Sequence, residues 1–166
     1  MNRTKAPLMA LVLCHVAFIA GLVLTYHRLP ELLASHFSPA GQPNDWMSRT
    51  SHVWTMGGLA LGLSVLILGL FYCVRFFPDS MISLPRRDYW LAPERREETF
   101  SFVFRAGIWL ASFEALFLLG IHLLLVAANA SSPPQLSPGV RVLGVLFLAT
   151  VVGWVFVLFQ RFHRMA

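Results

Sequence analysis

Residues 106–128 read AGIWLASFEALFLLGIHLLLVAA, and this stretch decides the fold. Glu114 and His122 are its only ionisable residues. A helix of about 20 apolar residues, rising about 1.5 Å per residue, is long enough to cross a hydrocarbon core about 30 Å thick. In lipid the backbone must satisfy its own hydrogen bonds, so a segment of this kind predicts a transmembrane helix.

The composition extends this prediction to the whole chain. Hydrophobic residues make up 57% of the sequence and charged residues 13%, whereas soluble domains carry about 25% charged residues. We therefore predict an all-α membrane protein, a four-transmembrane-helix bundle in a single membrane domain of residues 1–166. The predicted spans are 6–26, 53–74, 106–128 and 140–159, joined by an outer loop at 27–52, a cytoplasmic loop at 75–105 and a short turn at 129–139.

Basic residues predict the orientation of these spans, because Lys and Arg concentrate on the cytoplasmic side of membrane proteins. With the amino terminus inside, the cytoplasmic side holds Arg3, Lys5, Arg75, Arg86, Arg87, Arg95, Arg96, Arg105, Arg161 and Arg164. The other side holds only Arg28, Arg49 and Arg141. This bias predicts a multi-pass protein of the bacterial inner membrane with both termini in the cytoplasm.

Two loop motifs resemble those of a known family. The outer loop contains, in order, Leu29-Pro30, His36-Phe37, Gly41-x-Pro43-x-Asp45-Trp46 and Ser48-Arg49. The cytoplasmic loop contains Leu84-Pro85, Asp88-Tyr89-Trp90, Pro93 and Glu94-Arg95-Arg96. Together they resemble the SdpI-type family, relatives of the immunity protein against a sporulation-delaying toxin, in its amino-terminal domain of unknown function.

The resemblance implies a non-enzymatic receptor, immunity or accessory subunit that binds a peptide, lipid or membrane partner and takes part in signal transduction. It implies the domain more directly than immunity, because a second membrane motif of the full-length immunity proteins does not occur in this sequence. For the outer loop we expect His36, Asp45, Trp46 and Arg49 to contact the ligand. The alternatives are that His36 and Asp45 only shape the loop, or that His27, His36, His52 and Asp45 form a metal site, although their spacing matches no ligand pattern for zinc.

Two ionisable residues lie at matched depth inside predicted spans. His15 and Glu114 are each flanked by small residues that allow close helix approach. A lone carboxylate in hydrocarbon is costly and should face the bundle interior or find a partner. We predict a hydrogen bond or ion pair between His15 and Glu114, acting either as a structural clamp or as a relay in a small transporter or membrane enzyme. His122 is expected to bond between helices.

The cytoplasmic loop offers a second contact surface. Residues 93–105 are predicted to form an interfacial helix running into the third span, or alternatively the early start of that span. Arg86, Arg87, Arg95 and Arg96 fit anionic headgroups, whereas Tyr89 and Trp90 could dock a protein partner. We therefore take Tyr89, Trp90, Arg95 and Arg96 as the expected contact residues.

The remaining features favour a binding protein. Gly58 and Gly62 form a GxxxG packing motif, which fits either this bundle or a homo-oligomer. The sequence has no P-loop, GxSxG, HExxH or thiol–histidine arrangement, so an enzyme has little support. We expect no catalytic residues, no cofactor, no metal and no nucleic-acid partner.

Overall fold

Four long helices dominate the computed structural model, which describes residues 4–163. The helices are α1 (Lys5–Thr25), α2 (Arg49–Cys73), the single-turn α3 (Arg87–Trp90), α4 (Pro93–Asn129) and α5 (Gly139–His163). All but α3 are long and apolar enough to cross a membrane, which confirms the prediction of four helices able to span one. Two members of the basic set, Arg3 and Arg164, lie outside the described residues.

The helix α4 includes the segment 93–105 without a break and has 37 residues. Its length at about 1.5 Å per residue is about 55 Å, well beyond a hydrocarbon core of about 30 Å. Pro93 stands in the first turn, where its missing N–H leaves no hydrogen bond unmade. Residues 93–105 are therefore the first turns of the same helix that contains the third predicted span.

Helix α4 is also the centre of the packing. It contacts α1, α2 and α5, whereas α1 and α2 meet each other only sparsely. The main core cluster consists of Phe18, Leu22, Met56 and Ala60, packed against the α4 residues Leu118 and Leu119. In contrast, no residue in the apolar stretch of α5 is buried. Such exposed Leu, Val and Phe side chains suit a helix whose solvent is lipid.

A β-hairpin between α1 and α2 corrects the all-α prediction. Strands β1 (Leu32–Phe37) and β2 (Pro43–Ser48) pair antiparallel, with irregularities in register on both sides of His36. Gly41 closes the turn with φ +81°, a conformation that glycine adopts without strain. The sequence hid these strands because LLASHF and PNDWMS contain no β-branched residue and no clear alternation.

The opposite end of the helices carries the connection between α2 and α4. It consists of two 3-10 turns, Val74–Phe76 and Asp79–Met81, followed by α3. Ile82, Leu91 and Phe100 form a small core there. We refer to this as the α3 end and to the other as the hairpin end.

Candidate functional site

His36 and Asp45 face each other across the two strands of the hairpin. The register pairs the two residues, and His36 Nδ1 lies 3.5 Å from Asp45 Oδ2. Their side chains are 68% and 67% exposed, so water screens their attraction and little stability follows from it. Asp45 Oδ1 also accepts a hydrogen bond of 2.8 Å from the Trp46 backbone N–H. The structure thus brings the side chains of His36 and Asp45 together on an accessible surface, and the exposed Trp46 follows Asp45 in β2.

The fourth predicted residue, Arg49, points away from this pair. Its Nη1 donates to the Leu29 carbonyl oxygen at 3.1 Å, and its guanidinium lies 4.6 Å from the centre of the Tyr26 ring. Arg49 therefore binds the start of α2 to the end of α1. The prediction that Arg49 shares a ligand surface with His36 and Asp45 is not supported by this geometry.

Asn129 fixes β1 to the last turn of α4. Its Oδ1 accepts from the Ala34 N–H at 2.7 Å, and its Nδ2 donates to the Ala34 carbonyl oxygen at 3.0 Å. The same amide donates to the Leu125 carbonyl oxygen within α4. Leu33, which is fully buried, packs against Leu125 below this contact. Both the N–H and the carbonyl oxygen of Ala34 are thus hydrogen-bonded to the Asn129 side chain, because buried backbone groups need partners. These bonds fix the position of the hairpin relative to α4.

The turn of the hairpin is joined to the α4–α5 connection. The Gly41 carbonyl oxygen accepts from the Leu136 N–H at 2.9 Å, and Arg141 donates to the Pro39 carbonyl oxygen. A Cβ atom at Gly41 would lie 2.6 Å from the Leu136 oxygen. A cavity of about 300 Å³ opens between the turn and the connection, lined by residues 37–41, 135–138, 140 and 141. The sequence indicated only a plain turn at 129–139, because no local pattern reveals which distant backbone it will contact.

Buried polar side chains join three helices at the hairpin end. His52 Nε2 lies 3.0 Å from His122 Nδ1, and His122 Nε2 lies 2.7 Å from Thr25 Oγ1. Thr25 in turn donates to the Gly21 carbonyl oxygen at 2.7 Å. His122 is 0% exposed and His52 2%. The expectation that His122 bonds between helices is met, whereas its partners His52 and Thr25 were missed because they come from two distant segments.

Glu114 lies buried in the interface of α1, α2 and α4. Its Oε2 accepts a hydrogen bond of 2.9 Å from Ser64 Oγ. His15 Nδ1 lies 3.0 Å from the Leu11 carbonyl oxygen of its own helix. His15 is near enough to act on the carboxyl group electrostatically, yet within residues 4–163 the two side chains form no hydrogen bond or ion pair. The predicted bond is thus replaced by one from Ser64.

The histidines of the hairpin end do not converge on one point. His52 contacts His122, His36 faces Asp45, and the ring of His27 packs edge-on against Tyr26. Within the described range, no three His, Cys, Asp or Glu side chains form a group that could hold a metal ion. The alternative of a metal site in the loop therefore finds no geometry to support it.

The predicted contact surface at the α3 end is partly core. Trp90 is 6% exposed and its Nε1 donates to the Phe162 carbonyl oxygen at 3.0 Å. It therefore joins α3 to the end of α5 and leaves little of its ring exposed for the predicted docking of a partner. Arg96 pairs with Asp79 at 2.6 Å. Arg95 lies 4.1 Å from the ring centre of Tyr89, and these two residues remain half-buried.

The GxxxG face of α2 is open. A Cβ atom at Gly58 or Gly62 would meet no atom within 4 Å. In contrast, a Cβ at Gly21 would lie 2.7 Å from Leu119 Cδ1, and one at Gly107 would lie 2.6 Å from Phe71. Close helix approach in this chain thus occurs at Gly21 and Gly107, and the α2 glycines take no part in it.

Comparisons with known proteins cover the region that carries the hairpin. No curated protein and no solved structure matches the chain. One family model matches residues 12–61, which comprise most of α1, the hairpin and the first half of α2. The chain is therefore similar, over residues 12–61, to the family described as a domain of unknown function, DUF1648.

Proposed function

We propose that this protein is a binding subunit of the bacterial inner membrane that recognises a peptide on the extracytoplasmic side. The hairpin and the α4–α5 connection, residues 32–48 and 130–141, form the recognition layer. The excess of basic residues at the α3 end supports a cytoplasmic location for that end and for both termini. The recognition layer then faces outward.

One observation carries the proposal: the exposed pair His36 and Asp45 lies on a hairpin whose backbone is held by contacts with α4 and with the α4–α5 connection. Asn129 holds β1, and Leu136 and Arg141 hold the turn. Because these contacts do not involve His36 and Asp45, that pair remains accessible on a surface of fixed shape. A preorganised surface loses less conformational entropy on binding, which favours affinity.

The free edge of β2 argues against recognition by strand addition. Pro43 has no N–H to donate, and the Trp46 N–H already donates to Asp45. An incoming strand would find few free backbone donors on this edge. We therefore assign recognition to the side chains of His36, Asp45 and Trp46 and to the adjoining cavity.

The class of ligand follows from the resemblance to the SdpI-type family. Both motifs that resemble this family coincide with defined structural elements. The outer motif forms the hairpin, and the second motif forms α3 and the start of α4. The similarity to DUF1648 covers the outer motif. On this basis the ligand is a secreted peptide toxin, and the role is that of an immunity-type receptor or accessory subunit.

A toxin challenge tests this function. Sensitive bacteria expressing the chain are exposed to the sporulation-delaying toxin, and survival is measured at matched membrane abundance of each variant. The wild type should protect, and Asp45→Ala and His36→Ala should remove protection. Asp88→Ala is the matched control, since Asp88 also forms an exposed pair, with Arg87, but at the α3 end.

The outcomes separate the two classes of function. Equal survival with the wild type and with an empty vector would overturn the immunity role. Protection that survives Asp45→Ala and His36→Ala but is lost on Glu114→Gln would overturn recognition by the hairpin and favour a small transporter or membrane enzyme.

A further inference from the structure

The interface of α1, α2 and α4 contains two buried polar clusters with an apolar cluster between them. The histidine cluster is Thr25, His52 and His122, and the carboxyl cluster is Ser64 and Glu114. Between them lies what we call the apolar plug: Phe18, Leu22, Met56 and Ala60. Recognition of a peptide by the hairpin uses neither cluster.

The hydrogen-bond directions of the histidine cluster follow from Thr25. Its single hydroxyl hydrogen is given to the Gly21 carbonyl oxygen, so Thr25 Oγ1 must accept from His122 Nε2–H. A neutral imidazole carries one N–H, and His122 Nδ1 must therefore accept from His52 Nε2–H. The result is an unbroken chain of donors and acceptors from the first turn of α2, across α4, to α1.

The carboxyl cluster has an acceptor left over. Within residues 4–163, Glu114 Oε1 is the buried side-chain oxygen or nitrogen that lacks a hydrogen-bond partner. Glu114 itself is 6% exposed. Buried polar atoms are nearly always paired, and an exception calls for an explanation such as a catalytic or transport role. A proton is the smallest ligand that Oε1 could take.

His15 belongs to the same region of the interface, but its ring bonds to its own helix and, among residues 4–163, forms no hydrogen bond with Glu114. A carbonyl oxygen only accepts, so the contact with Leu11 places the hydrogen of His15 on Nδ1 and leaves Nε2 with a free lone pair. The other ionisable groups on the packed helices lie elsewhere. They are Lys5 at the start of α1, Cys14 beside His15, Arg49, Tyr72 and Cys73 at the ends of α2, Glu94, Arg95, Arg96, Glu97, Glu98 and Arg105 in the first turns of α4, and Arg141, Arg161 and His163 at the ends of α5.

The plug lies between the two clusters along the helices. Glu114 precedes His122 by eight residues on α4, which corresponds to about 12 Å along the helix axis. Phe18 is 1% exposed and Ala60 0%, so both plug residues are packed inside the interface. Moving an ion through such an apolar layer is costly unless water enters.

We propose that the α1–α2–α4 interface is a proton path gated by the Phe18 plug. A proton enters at the free ring nitrogen of His52, and His52 releases its Nε2 proton to His122 Nδ1. His122 releases its Nε2 proton to Thr25 Oγ1, and Thr25 passes its hydroxyl proton to a file of water molecules admitted when the plug opens. The last of these waters protonates the carboxylate of Glu114 at Oε1. One proton crosses the gap, and nothing is oxidised or reduced.

Proton flux in vesicles tests the path. The purified full chain is reconstituted into liposomes containing a pH-sensitive dye, and acidification is followed under a potassium diffusion potential. The closed wild type should stay near the rate of empty vesicles. Phe18→Ala should raise the rate about tenfold or more, because lowering the barrier by about 1.4 kcal/mol is worth a factor of ten. Adding Glu114→Gln to Phe18→Ala should return the rate to that of the wild type.

A matched control separates gating from loss of packing. Phe100 is 5% exposed in the small core of the α3 end, and Phe100→Ala should leave the flux unchanged. The proposal is overturned if folded Phe18→Ala conducts no faster than the wild type, if Phe100→Ala conducts equally fast, or if the flux survives Glu114→Gln. Should Phe18→Ala fail to fold, Leu22→Ala opens the same plug.

Chemical labelling provides a second readout in the wild type. Dicyclohexylcarbodiimide reacts with protonated carboxyl groups in apolar surroundings, and mass spectrometry locates the adduct. We expect an adduct at Glu114 that forms more slowly as the pH rises, with none in Glu114→Gln. Labelling of Glu114 that is absent at every pH, or that does not depend on pH, would contradict reversible protonation at this site.

Discussion

The hairpin and the helix interface each hold a histidine opposite a polar partner, yet the two pairs differ in their surroundings. His36 and Asp45 lie 3.5 Å apart with about two-thirds of each side chain exposed. His52 and His122 lie 3.0 Å apart and are almost fully buried. Water competes for the first pair and is excluded from the second.

This difference separates recognition from stability. An exposed ion pair contributes about 0–1 kcal/mol, so the fold does not depend on His36 and Asp45, which stay available to a ligand. A buried hydrogen bond is needed because each unpaired group would cost about 1–3 kcal/mol. Substitutions in the two pairs should therefore act on different quantities, and the following predictions start with the largest effect.

His122→Ala should lower the free energy of unfolding by about 3 kcal/mol, since it leaves a cavity and removes hydrogen-bond partners from His52 and Thr25. The measurement is an unfolding titration in mixed detergent micelles. His163→Ala is the control: that residue is exposed, and its ring meets the carbonyl oxygen and the ring of Phe159 in its own helix, so its effect should stay within about 0.5 kcal/mol. Equal effects of the two substitutions would erase the contrast between buried and exposed histidines.

Gly41→Ala should lower stability by about 1–3 kcal/mol, because alanine is strained at positive φ and its Cβ would collide with the Leu136 oxygen. Hydrogen exchange at the Leu136 amide should accelerate as the turn separates from the α4–α5 connection. Gly58→Ala provides the control, since open space surrounds Gly58 in α2. There the change should be neutral or stabilising by up to about 1 kcal/mol. An unchanged Leu136 amide would mean that the hairpin is not fixed as described.

Asp45→Asn should change the free energy of unfolding by less than about 0.5 kcal/mol, as expected for a screened surface pair. The same variant should lose binding of a fluorescently labelled sporulation-delaying toxin peptide to vesicles that carry the protein. A large loss of stability with binding intact would reverse the assignment of the two pairs.

The four spans could be predicted from sequence because each is a local run of apolar residues. Interpretation of single side chains was less successful. The hairpin was missed since its strands carry no β-branched alternation, and its position depends on Asn129, which is 95 residues from Ala34 in sequence. The neighbouring arginines predict a surface position for Trp90, yet the end of α5 covers it.

The buried polar clusters show the same limit. Matched depth suggested that His15 would meet Glu114, but depth does not give the rotation of a helix about its axis. That rotation brings Ser64 of α2 to the carboxyl group. His52 lies in the first turn of α2, close to the loop motifs, and nothing in the sequence indicates that it meets His122 across 70 residues.

Recognition at the hairpin and the direction of the proton path both depend on one claim, namely that the hairpin end faces outward and the α3 end faces the cytoplasm. It is tested by Ala40→Cys in the hairpin turn and Ser80→Cys at the α3 end, both exposed positions, in a chain with Cys14 and Cys73 replaced by serine. A membrane-impermeant maleimide is applied to intact spheroplasts and then to opened ones. We predict that Ala40→Cys is labelled in intact spheroplasts and Ser80→Cys only after opening. The reverse pattern would contradict the account.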